Sequence, residues 1–399
     1  MLFLLTSIWL SICAVGCDPR NETATAGSLV DLPLDAYRCE LLDLAFDAVS
    51  AMPVDPHVKN RSRAQEAVVK ACLELDQPQR ALQFTKQIVD WRRGVAYADL
   101  AFYCARRGLK GEVETYLDLA DQASQDVQDW RRDRIRVRIA ETHAYLGQAQ
   151  AAAQFEQGVD ASESGKVARV MAMVCPPESF DEQMATLASL VATEHFDAVK
   201  NALGAYGELY NRFYADDARR RTIEERIRMS SGNLPAFVRI DVLIELVDFS
   251  LAHSDQAKAC ELLNEARTTV ESATWQPTMG IPLVAKLSEL RFRAGDPEKA
   301  RQEARAALAL FDAKRDQIVN IYRGEMLRSV AEAFQTMGDP IASELYGRAI
   351  EAGMENPNSR PRAEDLAATC CAMALHAAQP TPALWNRIRE IRKGLGDPW

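Results

Sequence analysis

Asp-Trp-Arg-Arg occurs twice, at 90–93 and 129–132, and each tryptophan, Trp91 and Trp130, stands 17 residues before a glycine, Gly108 and Gly147. An offset of 39 residues held at both ends is an internal repeat. Repeats of this length stack as supersecondary units, none of which buries its apolar face alone. That constraint decides the fold class before any single-residue propensity does.

Six turn residues share one frame: Asp76, Gly108, Gly147, Ser254, Gly295 and Gly338. Eight positions earlier stand Val68, Leu100, Ile139, Leu246, Leu287 and Val330, all large and aliphatic. Seven earlier stand Val69, Ala101, Ala140, Val247, Ser288 and Ala331, small or β-branched. Five later come Ala81, Val113, Ala152, Ala259, Ala300 and Ser343, and twelve later Ile88, Ala120, Val159, Ala266, Ala307 and Ile350. Large, small, turn, small, apolar is the order that two closely crossing antiparallel helices need, because small residues admit near approach and large ones fill the groove. No stretch alternates apolar and polar between hairpin signals, so the expectation is all-α.

The segments LSELRFRAGDPEKARQEARAALAL (287–310), LAFYCARRGLKGEVETYLDLA (100–120) and LVDFSLAHSDQAKACELLNEA (246–266) resemble the tetratricopeptide repeat family. The resemblance covers most of 60–355 and implies a right-handed α-solenoid of antiparallel helix pairs. Spacings of 32, 39, 41 and 43 between reference turns depart from the family's regular period. Between Gly147 and Ser254 lie 107 residues, room for two more pairs. One is readable around Pro176-Pro177-Glu178-Ser179, while 195–235 is degenerate and carries Tyr206, Tyr210, Phe213 and Tyr214 as a helix core stripe. Helices over 359–399, the last one started by Thr381-Pro382, should cap the solenoid's end with Arg387, Arg389, Glu390 and Arg392 outward. Asp90 and Asp129 suit N-caps, with the tryptophans packing at the joints between units.

Residues 1–16 (MLFLLTSIWLSICAVG) are uncharged, too short for a membrane span and suited to a signal-peptide core. Ala14-Val15-Gly16-Cys17 resembles the lipobox of bacterial lipoproteins, which implies lipidation of Cys17, a tether over 17–35, and a helical-repeat domain over 36–399 anchored in the cell envelope on the periplasmic side. A cleaved secretory signal and an uncleaved signal anchor are the other readings. The formal charge of −10 argues against a nucleic-acid partner. Two arginine-rich stretches, 131–138 and 219–228, read as solvated helix faces. Seven cysteines remain after Cys13 and Cys17, without disulfide or metal spacing, and Cys72 and Cys104 fall at equivalent helix positions as small apolar fillers.

Five histidines lack catalytic or metal-binding neighbours, and no HExxH, GxSxG or phosphate loop occurs. His143 falls at the packed position of Cys72 and Cys104 and should be buried. The reading is therefore non-enzymatic, with no cofactor, metal or small-molecule substrate: a repeat protein that binds another protein or peptide. Alternatives are an envelope scaffold without a groove, or an enzyme whose site is assembled from scattered residues. Six positions before the reference turn stand Lys70, Phe102, Glu141, Asp248, Glu289 and Glu332. The resemblance places this position in the concave groove, which implies partner binding by Phe102, Glu141, Asp248, Glu289 and Glu332.

If Cys17 carries lipid, mapping of the mature N-terminus should find it there, and Cys17→Ala should release the chain from the membrane fraction. One acyl chain binds only marginally whereas two or three hold firmly, so partial release is not the expected outcome.

Overall fold

The computed structural model describes residues 29–399 except 161, 162, 164 and 194, and the leader and Cys17 lie outside the described residues. The described residues form nineteen α-helices and no strand. The even-numbered helices are α2 (Val54–Glu74), α4 (Arg92–Arg106), α6 (Asp129–Tyr145), α8 (Lys166–Met173) and α10 (Phe196–Arg212). They continue with α12 (Ala236–Ala252), α14 (Pro277–Arg293), α16 (Asn320–Thr336) and α18 (Ser359–Leu375). The odd-numbered ones are α1 (Ala36–Ser50), α3 (Pro78–Thr85), α5 (Lys110–Gln125), α7 (Ala149–Glu156) and α9 (Phe180–Val191). The rest are α11 (Asp217–Ser231), α13 (Gln256–Glu271), α15 (Pro297–Lys314), α17 (Ile341–Met354) and α19 (Pro382–Lys393).

All six reference turns end an even helix in the left-handed region, at φ 54° for Asp76, 71° for Gly108, 73° for Gly147, 59° for Ser254, 91° for Gly295 and 67° for Gly338. In each, the next N–H reaches back to a carbonyl five residues earlier, as in Gln77 N to Cys72 O at 2.8 Å, Leu109 N to Cys104 O at 2.9 Å and Asp339 N to Phe334 O at 3.0 Å. This is the Schellman closure, which turns the chain sharply enough to lay the next helix back on the last. A seventh copy sits at Ala377, φ 51°, with Ala378 N to Met373 O at 2.8 Å. Alanine carries no turn signal, so the sequence frame stops one unit short. The degenerate stretch 195–235 is an ordinary pair, α10 and α11, whose joint is instead capped by Asp216 accepting from the Ala218 and Arg219 amides. Its aromatic stripe is core, with Tyr206, Tyr210, Phe213 and Tyr214 all buried.

The packing positions behave as the spacing requires. Val68, Leu100, Ile139, Leu246, Leu287 and Val330 are buried, as are the small residues that follow each of them. Ala81, Val113, Ala152, Ala259 and Ala300 are buried too, whereas Ser343 is half-exposed and Ala342 takes its place, a slip of one residue in that unit. Among the cap readings, Asp90 accepts from the Arg92 amide at 2.9 Å, but Asp129 is itself the first residue of α6, at φ 61°, and makes no capping bond.

The chain does not end as an open solenoid. Each even helix packs on the even helix before and after it, and α18 packs on α2, so the nine even helices form a closed ring. Odd helices touch their even neighbours and almost never one another, which makes them the outer layer. The seam is closed by α1, which fills the outer slot on α18 that α19 would take in a regular hairpin. Leu41, Leu42, Ala45 and Val49 of α1 are fully buried there, and Arg38 Nε donates to Ala374 O at 2.7 Å. The last helix is pushed outside, where Arg392 pairs with Asp47 of α1 at 2.6 Å and Arg387 with Glu351 of α17 at 2.6 Å. Its basic face thus ties the seam together and does not cap an exposed end. Residues 29–35, within the expected tether, lie along the α2–α3 turn, with Leu32 N bonded to Asp76 O at 2.9 Å.

Two substitutions check this arrangement. Ala300→Phe overpacks the α14–α15 crossing and should destabilise by about 1–3 kcal/mol in chemical denaturation. Leu42→Asp should raise amide hydrogen exchange in α18 well above that in α6, although α18 lies at the other end of the sequence.

Candidate functional site: the inner face of the ring

Nine helices spaced about 9–10 Å apart, each about 10–12 Å across with side chains, enclose a central opening on the order of 15 Å wide when arranged in a circle. The residues six before each turn, Lys70, Phe102, Glu141, Asp248, Glu289 and Glu332, all lie on the inner helices. They do not form a bare acidic stripe. Glu141 is buried against Arg138 at 2.8 Å, and Arg138 also reaches Asp99 on α4 at 3.6 Å. Asp248 on α12 pairs with Arg293 on α14 at 2.6 Å, while Glu289 is held by Lys286 at 3.2 Å. Phe102 packs edge-on against Tyr145, centroids 5.5 Å apart, and fills the α4–α6 crevice. Lys70 pairs with the buried Glu66 at 2.7 Å. Glu332 is half-buried between α16 and its neighbours and is the member of the set with no ion pair among the contacts described.

These charges link successive units. Glu66 of α2 meets Arg92 of α4 and, at 3.9 Å, Arg134 of α6, while Arg169 of α8 joins Glu208 of α10 at 3.1 Å and also Glu245 of α12. Across the seam, Arg63 of α2 bonds Glu364 of α18 at 3.0 Å. Glu208 also feels Arg106 of α4, three units away, so the opening is narrow enough for facing side chains to act on one another.

The pairing leaves a surplus of acid. Burial would push the Glu66 carboxyl up, but Lys70, Arg92 and Arg134 together bring it down to about 2. Elsewhere burial wins. It pushes Glu74 and Glu245 up to about 7, against Lys70 and Arg169 respectively. It also raises Asp99 despite Arg138, and Glu332 despite His376 and Arg328. Asp365 of α18 is raised to about 7 by the same cause, against Arg328. Its carboxyl lies in a slot made by two glycines: a Cβ on Gly353 would sit 2.9 Å from the Asp365 Cβ, and one on Gly324 3.3 Å from its Cγ. Oδ2 of Asp365 is buried without a hydrogen-bond partner. Helical glycines, Gly324 in the second turn of α16 and Gly353 in the last turn of α17, were the available signal for this site, but they mean nothing until the three helices are placed together.

Other singled-out residues serve the scaffold. Trp91 and Trp130 of the repeated tetrapeptide meet edge-on, centroids 5.2 Å apart, at the joint between units. Within the arginine-rich stretches Arg136 bonds the Gln154 and Phe155 carbonyls at the end of α7 and Arg219 stacks on both Phe180 and Phe213, whereas Arg132, Arg221, Arg226 and Arg228 are exposed as a solvated face. His143 is half-exposed, not buried, stacked on Phe155 with Nδ1 2.6 Å from Gln148 Oε1. The seven cysteines from Cys39 onward are free thiols, and among the described residues no group of His, Cys, Asp and Glu could hold a metal ion. No described helix is long and apolar enough to cross a membrane.

No family model matches the chain, and no curated protein matches it.

A carboxyl raised to about 7 stays protonated in the folded chain where the unfolded chain has lost the proton. The stability this confers is present below the unfolded value and is lost as pH rises through about 7. Glu66, held at about 2, works the other way and loses its contribution only in acid. Melting should therefore occur at higher temperature near pH 5 than at pH 8. Asp365→Asn, which fills the same slot uncharged, should raise the melting temperature more at pH 8 than at pH 5.

Proposed function

We propose that this chain is a non-enzymatic, membrane-anchored envelope protein whose ring of tetratricopeptide-like helix pairs binds a protein or peptide through its inner face. The observation that carries the reading is the set of inner-layer carboxylates, Glu74, Asp99, Glu245 and Glu332, kept in high-pKa surroundings by burial that their cationic neighbours do not offset. Titratable groups perturbed by burial beside specific charge partners cluster at functional sites. A basic or amino-bearing segment entering the opening would discharge them. Nine inner helices arranged in a circle would leave an opening about 15 Å wide, which suits an extended chain or a single helix better than a folded domain.

Three acidic members of the predicted stripe, Glu141, Asp248 and Glu289, are already engaged by Arg138, Arg293 and Lys286, so reversing their charge would break the ring's own ties. Neutral isosteres test the reading more cleanly. Copurification from detergent-solubilised membranes, followed by mass spectrometry, should recover a partner with the parent chain. Glu74→Gln, Glu245→Gln and Glu332→Gln together should reduce that recovery by about tenfold. Three neutralisations on the outer helices, at Glu261, Glu271 and Glu298, should leave it intact. Equal recovery with both sets would remove the inner face from the account.

A further inference from the structure

In a closed ring of antiparallel pairs, every turn from an even to an odd helix lies at one end, and every passage from an odd to the next even helix lies at the other. The exposed large apolar residues are distributed very unevenly between these ends. Six of the nine odd-to-even passages carry them: Val54 (45% exposed), Val89 (52%), Trp130 (47%), Phe196 (44%), Met229 (66%), and Val319 (59%) with Ile321 and Tyr322 beside it, while Leu310 lies on the flank of α15. The turn end has Met171 and, on the segment leading into α1, Val30 and Leu32. Isolated surface hydrophobics need no explanation, but a set concentrated at one end of a ring does.

The six passages go right round the circle, in the units of α2, α4, α6, α10, α12 and α16. A folded partner would cover an arc of such a rim. A flat, laterally continuous surface meets all of it at once. The chemistry fits an interface of that kind: the Arg131 guanidinium lies over the exposed Trp130 ring, 5.7 Å from its centroid, and aromatic rings with neighbouring arginines favour the boundary between headgroups and acyl chains. Chain length allows it as well. The described chain begins at the turn end, where Leu29 O accepts from Gln79 Nε2 at 2.5 Å. From there back to Cys17 are twelve residues, able to extend about 40 Å, whereas the 17-residue inner helices stand only about 25 Å tall. A leader held in a membrane can therefore lie in the plane of the apolar end.

We propose that this end of the ring rests on a phospholipid bilayer, with Trp130, Phe196 and Val319 seated in the headgroup layer and the turn end facing away. The seating adds to the leader's hold and presents the ring's axis perpendicular to the membrane. The proposal rests on the membrane-anchored reading above, and the experiment separates the two.

The test uses the full chain in cells with a photoreactive phenylalanine derivative at position 130 or 319, and at position 298 on the turn end as control. After irradiation, mass spectrometry of the purified chain should find phospholipid adducts at 130 and 319 at about fivefold or more the level at 298. The triple variant Trp130→Ser, Phe196→Ser, Met229→Ser should keep its helical circular dichroism spectrum and lose most of the adduct at 319. Adducts at these positions with a second copy of the chain or with another protein overturn the proposal, as does a level equal to the control in membrane-attached chain. Recovery of the chain wholly in the soluble fraction overturns the anchored reading and this one together.

Discussion

The packing of α1 into the outer slot of α18 is the contact on which the rest of the architecture depends. Stacked helix pairs always leave two terminal faces, and an open stack must cover both with polar caps. Here the first helix completes the last unit, so neither face exists. Entropy does not forbid this, because the cost of joining distant points on a chain grows only as the logarithm of the loop between them. Burial of Leu41, Leu42, Phe46 and Val49, each contributing roughly 1.5–3 kcal/mol, offsets it. The displacement of α19 follows: with its slot filled, it lies over α17 and α1 and is held by Arg387 and Arg392.

Closure also decides what the inner charges can do. In an open groove, bulk water would screen them. Inside a ring they face one another across a narrow opening, and burial becomes the dominant influence on Glu74, Glu245 and Glu332. The same confinement makes the interhelical pairs Asp99–Arg138 and Asp248–Arg293 worth forming, since in partly dehydrated surroundings an unpaired charge costs far more than it does at a surface. Both the ties and the surplus acid are consequences of one topological fact.

Much of the scaffold was legible in the sequence because its rules are local. A left-handed joint selects Gly, Asp or Ser, and a close helix crossing selects Ala five residues later, so both leave marks at fixed offsets. Ala377 adopts the same conformation with no such mark, and the joints of α8 and α10 are made differently, by Pro176 with Pro177 and by the Asp216 cap. The seam was not legible at all: Arg38 and Ala374 are 336 residues apart, and nothing near either one announces the other. The inner acidic positions were visible, and Arg138 and Lys286 lie three residues before Glu141 and Glu289 on the same helices, yet the partner of Asp248 was not, because Arg293 belongs to the next inner helix along. The slot around Asp365 escaped for the same reason, being built from one residue on each of three helices.

The central claim is that the ends of the repeat array meet. Spin labels on unnatural side chains at positions 47 and 392, which are separated by 345 residues, measure this directly by pulsed dipolar spectroscopy. A closed ring should give one narrow distance near 20 Å, whereas an open array of nine pairs at about 9 Å per unit would place the labels roughly 60 Å or more apart. A broad distribution centred at that longer distance would contradict the ring, and with it the account of the inner face.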